Sequence, residues 1–95
     1  MRKEPDTGVA PSQRLDLWLW HARIARTRSA CTAFVQQGRI RINRMETDKP
    51  HARVRVGDVL TLPAHPSPEV RVLRVLALVE KRGSPRETIG VYEEL

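Results

Sequence analysis

The hydrophobic period of this chain changes once, at Gln37-Gly38, and that change restricts it to a helices-first, strands-second order. Before the glycine, Leu15, Trp18, Leu19 and Ala22 recur at the i, i+3, i+4, i+7 spacing that lines one face of a helix. Leu17, Trp20 and Ile24 add a second stripe, so this helix is expected to be covered on more than one side, with Ser12 as its cap. Thr27 is placed to cap a second helix, on which Ala30, Ala33, Phe34 and Gln37 would share a face, after a very short turn near Arg26-Thr27. Gly38 then stops it, because glycine accepts the left-handed conformation just past a helix end without steric cost.

After Gly38 the period becomes two. Ile40 and Ile42 alternate with Arg39, Arg41 and Asn43, which predicts a half-buried strand with arginines facing out. Asn43 to Glu46 reads as a turn, Val54 and Val56 as a second alternating run, Gly57-Asp58 as a turn, and Val59 to Leu62 as another strand. Pro63, Pro66 and Pro68 mark a loop, followed by an apolar run from Val70 to Val79 whose phase breaks near Leu73-Arg74, where a bulge is expected. Ser84, Pro85 and Glu87 form a helix start, predicting a short C-terminal helix through Tyr92. The fold class is α+β: two N-terminal helices packed on a small, mostly antiparallel sheet, with a short C-terminal helix. The organisation expected is a flexible arm over 1–13, a domain over 14–82 and a helical tail over 83–95.

Charge is distributed unevenly. The net charge of +6 arises in residues 14–55, where ten basic side chains meet only Asp16, Glu46 and Asp48; the flanking segments are close to neutral. Such a concentration points to a polyanionic partner. Arginine outnumbers lysine fourteen to three, and its planar fork suits bidentate phosphate contact and stacking on exposed bases. No apolar stretch of about 18 residues is present to cross a membrane, and Met1 to Gln13 lacks the apolar run of a secretory signal, so a cytoplasmic location is expected. Cys31, the single cysteine, excludes an intrachain disulfide and reads as a small buried thiol. His21, His51 and His65 have no zinc-ligand spacing with it, and there is no phosphate loop or nucleophile motif; no metal, cofactor or enzymatic activity is expected. His21 is placed near the basic surface and Trp18 in the core.

Two nucleic-acid readings compete. Recognition of folded RNA would use Arg14, Arg26, Arg28, Arg39 and Arg41 around one surface, with the hydroxyls of Thr27 and Ser29 beside the amides that open the second helix. A winged helix-turn-helix protein binding DNA has the same element order, but its arginines would concentrate on one recognition helix instead of continuing into a strand.

The runs Arg14-Leu15-Asp16, Arg26-Thr27-Arg28-Ser29, Gln37-Gly38-Arg39-Ile40-Arg41-Ile42-Asn43 and Val56-Gly57-Asp58-Val59-Leu60 resemble the alpha-L RNA-binding domain shared by ribosomal protein S-four, some pseudouridine synthases and tyrosyl-tRNA synthetases. The likeness covers about residues 14–62. Asp16-Leu17-Trp18-Leu19-Trp20, Ala22-Arg23, Lys81-Arg82-Gly83-Ser84 and Tyr92-Glu93-Glu94 further resemble the small ribosome-associated heat-shock proteins of bacteria. The resemblance implies binding to large-subunit ribosomal RNA, on large subunits still carrying a nascent chain; the chain itself is expected to act as a monomer. It also implies that Arg14, Arg26, Thr27, Arg28, Ser29, Arg39, Arg41, Asn43 and Lys49 face RNA; Arg23 and Arg44, in the same basic segment, complete the candidate set. Arg44 and Met45 follow Asn43 where many relatives have glycine. An accessory module guiding a separate enzyme on RNA is the other role consistent with this family.

Overall fold

The structure is a computed structural model and describes residues 11–64, 69–78 and 90–95. Its elements are β1 (Gln13–Arg14), α1 (Leu15–His21), α2 (Arg28–Gln36), β2 (Ile40–Ile42), β3 (Met45–Thr47), β4 (Arg53–Val54), β5 (Val59–Pro63), β6 (Val70–Val75) and β7 (Tyr92–Glu94). Among the described residues, five strands form an antiparallel sheet in the order β3-β2-β5-β6-β7, and β1 pairs separately with β4. The α+β architecture of two helices on a mostly antiparallel sheet is the one read from the period switch.

The core joins both layers. Leu15, Trp18, Leu19 and Ala22 of the first helical stripe are buried against Ile40, Leu60, Leu62, Leu73 and Val75 of the sheet. Trp18 also donates its indole N–H to the Ala77 carbonyl at 3.0 Å and meets Tyr92 edge-on with ring centroids 6.2 Å apart. A buried indole keeps a hydrogen-bond partner in this way while its ring fills the core.

Local departures from the sequence reading each have a physical reason. Ser12 does not cap α1. Its hydroxyl accepts from Arg53 Nε at 2.9 Å, and α1 starts from Arg14 without a side-chain cap. The first α1 amides are taken up instead by loop carbonyls, Leu15 N–H by Ala52 at 2.7 Å and Asp16 N–H by Pro50 at 3.1 Å. The turn between the helices is longer than expected, because α1 ends at His21 and Arg23, with φ 63°, turns the chain in the left-handed region. On α2 the face turned to the core is Cys31 and Val35, while Ala30, Ala33 and Gln37 are exposed and Phe34 is half-buried. Thr27 does cap α2, accepting from Ala30 N–H at 3.0 Å, and Gly38 ends it with φ 74°.

The β2–β3 turn is two residues long instead of four. Asn43 and Arg44 have φ of 56° and 96°, the primed hairpin geometry, and Met45-Glu46 belongs to β3. Val56 is 60% exposed and lies outside β4. No bulge interrupts β6 at Leu73-Arg74, since its register with β5 runs unbroken from Val59↔Arg74 to Pro63↔Val70. The inward phase is Arg71, Leu73 and Val75; Val70 and Val72 lie on the opposite face, which made the phase look broken. Tyr92 is not at the end of a helix: Tyr92–Glu94 is a strand paired with β6, held there by backbone bonding in the sheet. Ser84, Pro85 and Glu87, on which that helix was read, lie outside the described residues, as do Met1 to Ala10 of the arm.

Candidate nucleic-acid interface

Three concave regions organise the basic residues. The first, a cavity of about 470 Å³, is lined by Arg14, Asp16, Arg28, Ser29, Thr32, Gln36, Pro50 and His51. It forms where the start of α1, the outer face of α2 and the loop before β4 meet, and the loop is held there by the carbonyls of Pro50 and Ala52 that close the α1 N-terminus. Its floor is polar. Asp16, 1% exposed, accepts from Arg14 Nε at 3.1 Å and Nη2 at 3.0 Å, from Leu17 N–H at 2.8 Å and from Thr32 Oγ1 at 3.1 Å. A buried carboxylate without such partners would carry a large desolvation penalty.

The second depression, about 480 Å³, is lined by Arg39, Arg41, Arg44, Glu46 and residues of β5 and β6, including Thr61 and Val70. The hairpin geometry holds it open. The Asn43 amide donates to Asp58 Oδ1 at 3.0 Å while its oxygen accepts from Val59 N–H at 2.9 Å, and Asp58 also accepts from Arg55 N–H at 2.8 Å. The Asn43 side chain, though exposed, thus joins the β2–β3 turn to the Gly57-Asp58 turn. The third, about 610 Å³, has an apolar lining from Ile24, Ala25, Ala30, Ala33 and Phe34, with Arg26 and Arg71 also on its wall.

Of the residues singled out from sequence, Arg14, Arg28 and Ser29 share the first cavity and Arg39, Arg41 and Arg44 the second, while Arg26 lies in the third. Thr27 caps α2, Arg23 makes the turn after α1, and exposed Lys49 is 3.8 Å from Asp48, both more than half exposed. Sequence reasoning missed Asp16, Thr32, Gln36, Pro50 and His51. Asp16 stood in the Arg14-Leu15-Asp16 run but was counted only among the three acidic residues of the basic segment; for His51 no local signal indicated that its loop closes on α1. His21 is buried, not at the basic surface, and stacks obliquely with Trp20 at 5.3 Å. Among the described residues, no group of three or more His, Cys, Asp or Glu side chains could hold a metal ion, and no helix is long and apolar enough to cross a membrane.

A model of the S4 domain matches residues 13–60, the stretch that builds the first cavity and the β2–β3 hairpin. The chain belongs to the S4 domain family. It is similar to a heat shock protein 15 homolog of Haemophilus influenzae, 33% identical over 81 residues, which are 85% of this chain and 60% of that protein. To heat shock protein 15 of Escherichia coli it is 32% identical over 94 residues, 99% of this chain and 65% of the relative. The small ribosomal subunit protein uS4 of Erythrobacter litoralis is 36% identical over 69 residues, 73% of this chain and 34% of that protein. The chain therefore spans less than two thirds of the length of these relatives. A trimeric structure of Vibrio cholerae heat shock protein 15 superposes with a TM-score of 0.80 at 28% identity, covering 90% of this chain and 83% of that one. Membership in the S4 domain family and homology to heat shock protein 15 support RNA binding.

Proposed function

We propose that this S4 domain binds structured RNA without catalysis, and that its target is ribosomal RNA of the large subunit during rescue or recycling of stalled subunits that carry nascent chains. The observation that carries the RNA reading is the cavity in which Arg14, Arg28 and Ser29 converge within the S4-matched segment. In this reading Arg28 and Arg14 contact phosphates, Arg39, Arg41 and Arg44 extend the contact to the hairpin and Arg26 to the turn before α2, with Lys49, Arg23 and the Thr27 hydroxyl at its margin. The binding unit is residues 14–82, acting as a cytoplasmic monomer with no cofactor.

Binding curves with a folded ribosomal RNA fragment and with duplex DNA, at one salt concentration, test the first half. RNA should bind at least about tenfold more tightly, a difference of about 1.4 kcal/mol; equal affinity or preference for duplex DNA returns the winged helix-turn-helix reading. Density-gradient fractions of a lysate test the second half. The tagged protein should travel with free large subunits, more after heat stress, and be scarce on translating ribosomes, because the joined small subunit covers the intersubunit surface. Travel with small subunits, or with no ribosomal particle, rejects the large-subunit assignment. The mass of the purified protein in sedimentation equilibrium decides between a monomer and a trimer like that of the Vibrio cholerae relative.

A further inference from the structure

Asp16 is an acidic residue on the floor of the cavity that Arg14 and Arg28 line, where a free carboxylate would repel an incoming phosphate. Its hydrogen bonds explain why it is there. Oδ1 accepts from Arg14 Nε and Leu17 N–H, and Oδ2 from Arg14 Nη2 and Thr32 Oγ1. These four bonds fill the roughly four lone-pair positions of an ionised carboxylate, so none remains for a ligand. Thr32 has one hydroxyl proton and two acceptors at 3.1 Å, Asp16 Oδ2 and the Arg28 carbonyl; the charged acceptor is the stronger.

The other side of the pair is Arg14. Its Nε and Nη2 edge is bound to a side chain only 2% exposed, while its own side chain is 43% exposed and lines the cavity. A guanidinium has five N–H groups, so roughly three remain after this bidentate contact. A long, rotamer-rich side chain that would otherwise lose its freedom on binding is held in one pose beforehand.

We propose that Asp16 is a positioning residue for nucleic-acid binding: it fixes the Arg14 guanidinium by one edge so that the remaining N–H groups are presented to a phosphate in the cavity shared with Arg28 and His51. The proposal rests on the RNA-binding reading above. Its consequence opposes simple electrostatics. Removing one negative charge from a basic surface should by Coulomb attraction tighten binding of a polyanion, whereas loss of a positioning carboxylate should weaken it.

The test uses the full chain and the folded ribosomal RNA fragment. Asp16→Asn should lower affinity about tenfold and flatten the dependence of log K on log salt by about 0.7 to 0.9, one phosphate contact. Arg14→Gln should do the same, and the double variant should be no weaker than Arg14→Gln alone, because the two act as one unit. Arg14→Lys, which keeps the charge and removes the fork, should also weaken binding and keeps the question open to measurement if Asp16→Asn does not fold. Cys31→Ala, which loosens the helix layer without touching the cavity, should retain wild-type affinity. Unchanged or tighter binding by folded Asp16→Asn, full affinity in Arg14→Lys, or equal losses in Cys31→Ala would each overturn the proposal and leave RNA binding intact. Failure of the unaltered protein to bind RNA would instead remove the functional reading on which it stands.

Discussion

At the β6–β7 edge of the sheet, Arg71 bonds Glu94 through two nitrogens at 2.9 and 2.8 Å and Arg74 meets Glu93 at 3.0 Å, whereas Arg28 on α2, Arg39 just before β2 and Arg41 on β2, all exposed, have no carboxylate within ion-pair distance among the described residues. The same side chain is a structural clamp in one region and an available cation in the other. Arg71 further lies 5.9 Å from the centroid of the Tyr92 ring, which fastens the edge strand to its neighbour. The difference shows that a basic surface is made less by the number of arginines than by where acidic partners are withheld. Residues 56–95 set five basic groups against six acidic ones; residues 14–55 set ten against three.

The largest effect should come from reversing the available cations. An Arg28→Glu, Arg39→Glu double variant should lose at least about 100-fold in RNA affinity, about 2.7 kcal/mol, and its salt dependence should flatten. Arg74→Gln should change affinity by less than about threefold, below about 0.7 kcal/mol on the same scale. Similar losses in titrations of both variants would erase the contrast between the two regions.

A smaller effect separates packing from binding. Cys31 is fully buried between the helices, and Cys31→Ala should lower unfolding stability by about 1 kcal/mol through lost packing, with RNA affinity unchanged. Thermal melts and binding curves on the same preparation check this; a matching fall in affinity would mean that the helix layer, not the cation arrangement, limits binding.

The smallest concerns the clamp itself. The Arg71 hydrogen bond holds the Glu94 carboxyl below its usual range, and the carboxylate raises the Arg71 pKa in turn. A carboxyl whose folded pKa is depressed stabilises the fold above its unfolded pKa and loses that contribution as pH falls through the folded value. Since Glu94 is half exposed, the contribution should be below about 1 kcal/mol. Glu94→Gln should therefore lower stability slightly at pH 7 and reduce its decline on acidification below pH ~5. Chemical denaturation across that range measures it, and an unaltered acid profile would show that the clamp contributes nothing.

How much of this was legible in the chain depended on whether the deciding interaction was local. The Leu15, Trp18, Leu19, Ala22 stripe, the Thr27 cap and the Gly38 stop are set by neighbours within a turn or two, and each is found where the sequence put it. The inward face of α2 was misread because Ala30 and Ala33 are apolar yet exposed, and what decides the face is contact with α1. Arg44 hid the two-residue hairpin: glycine is the usual mark of that φ, and here the turn forms through the Asn43 bonds to Asp58 and Val59 instead. The cations of the candidate interface were visible as a charge segment. Their division among separate depressions was not, nor was the association of His51 with Arg14 and Arg28, because both depend on long-range closure of the loop before β4.

The bond from the Trp18 indole to the Ala77 carbonyl spans 59 positions of the chain, and it gives the molecule a timetable. A ribosome adding about 5 to 20 residues per second needs roughly 3 to 12 s between making the tryptophan and making its acceptor. By the second half of that interval both helices and the basic hairpin exist as chain, but the indole still has neither its acceptor nor the Tyr92 ring against which it later packs. The arginine-rich segment is therefore synthesised well before the core beneath it can close, and during manufacture its fidelity depends on the arrival of β6 and the residues that follow.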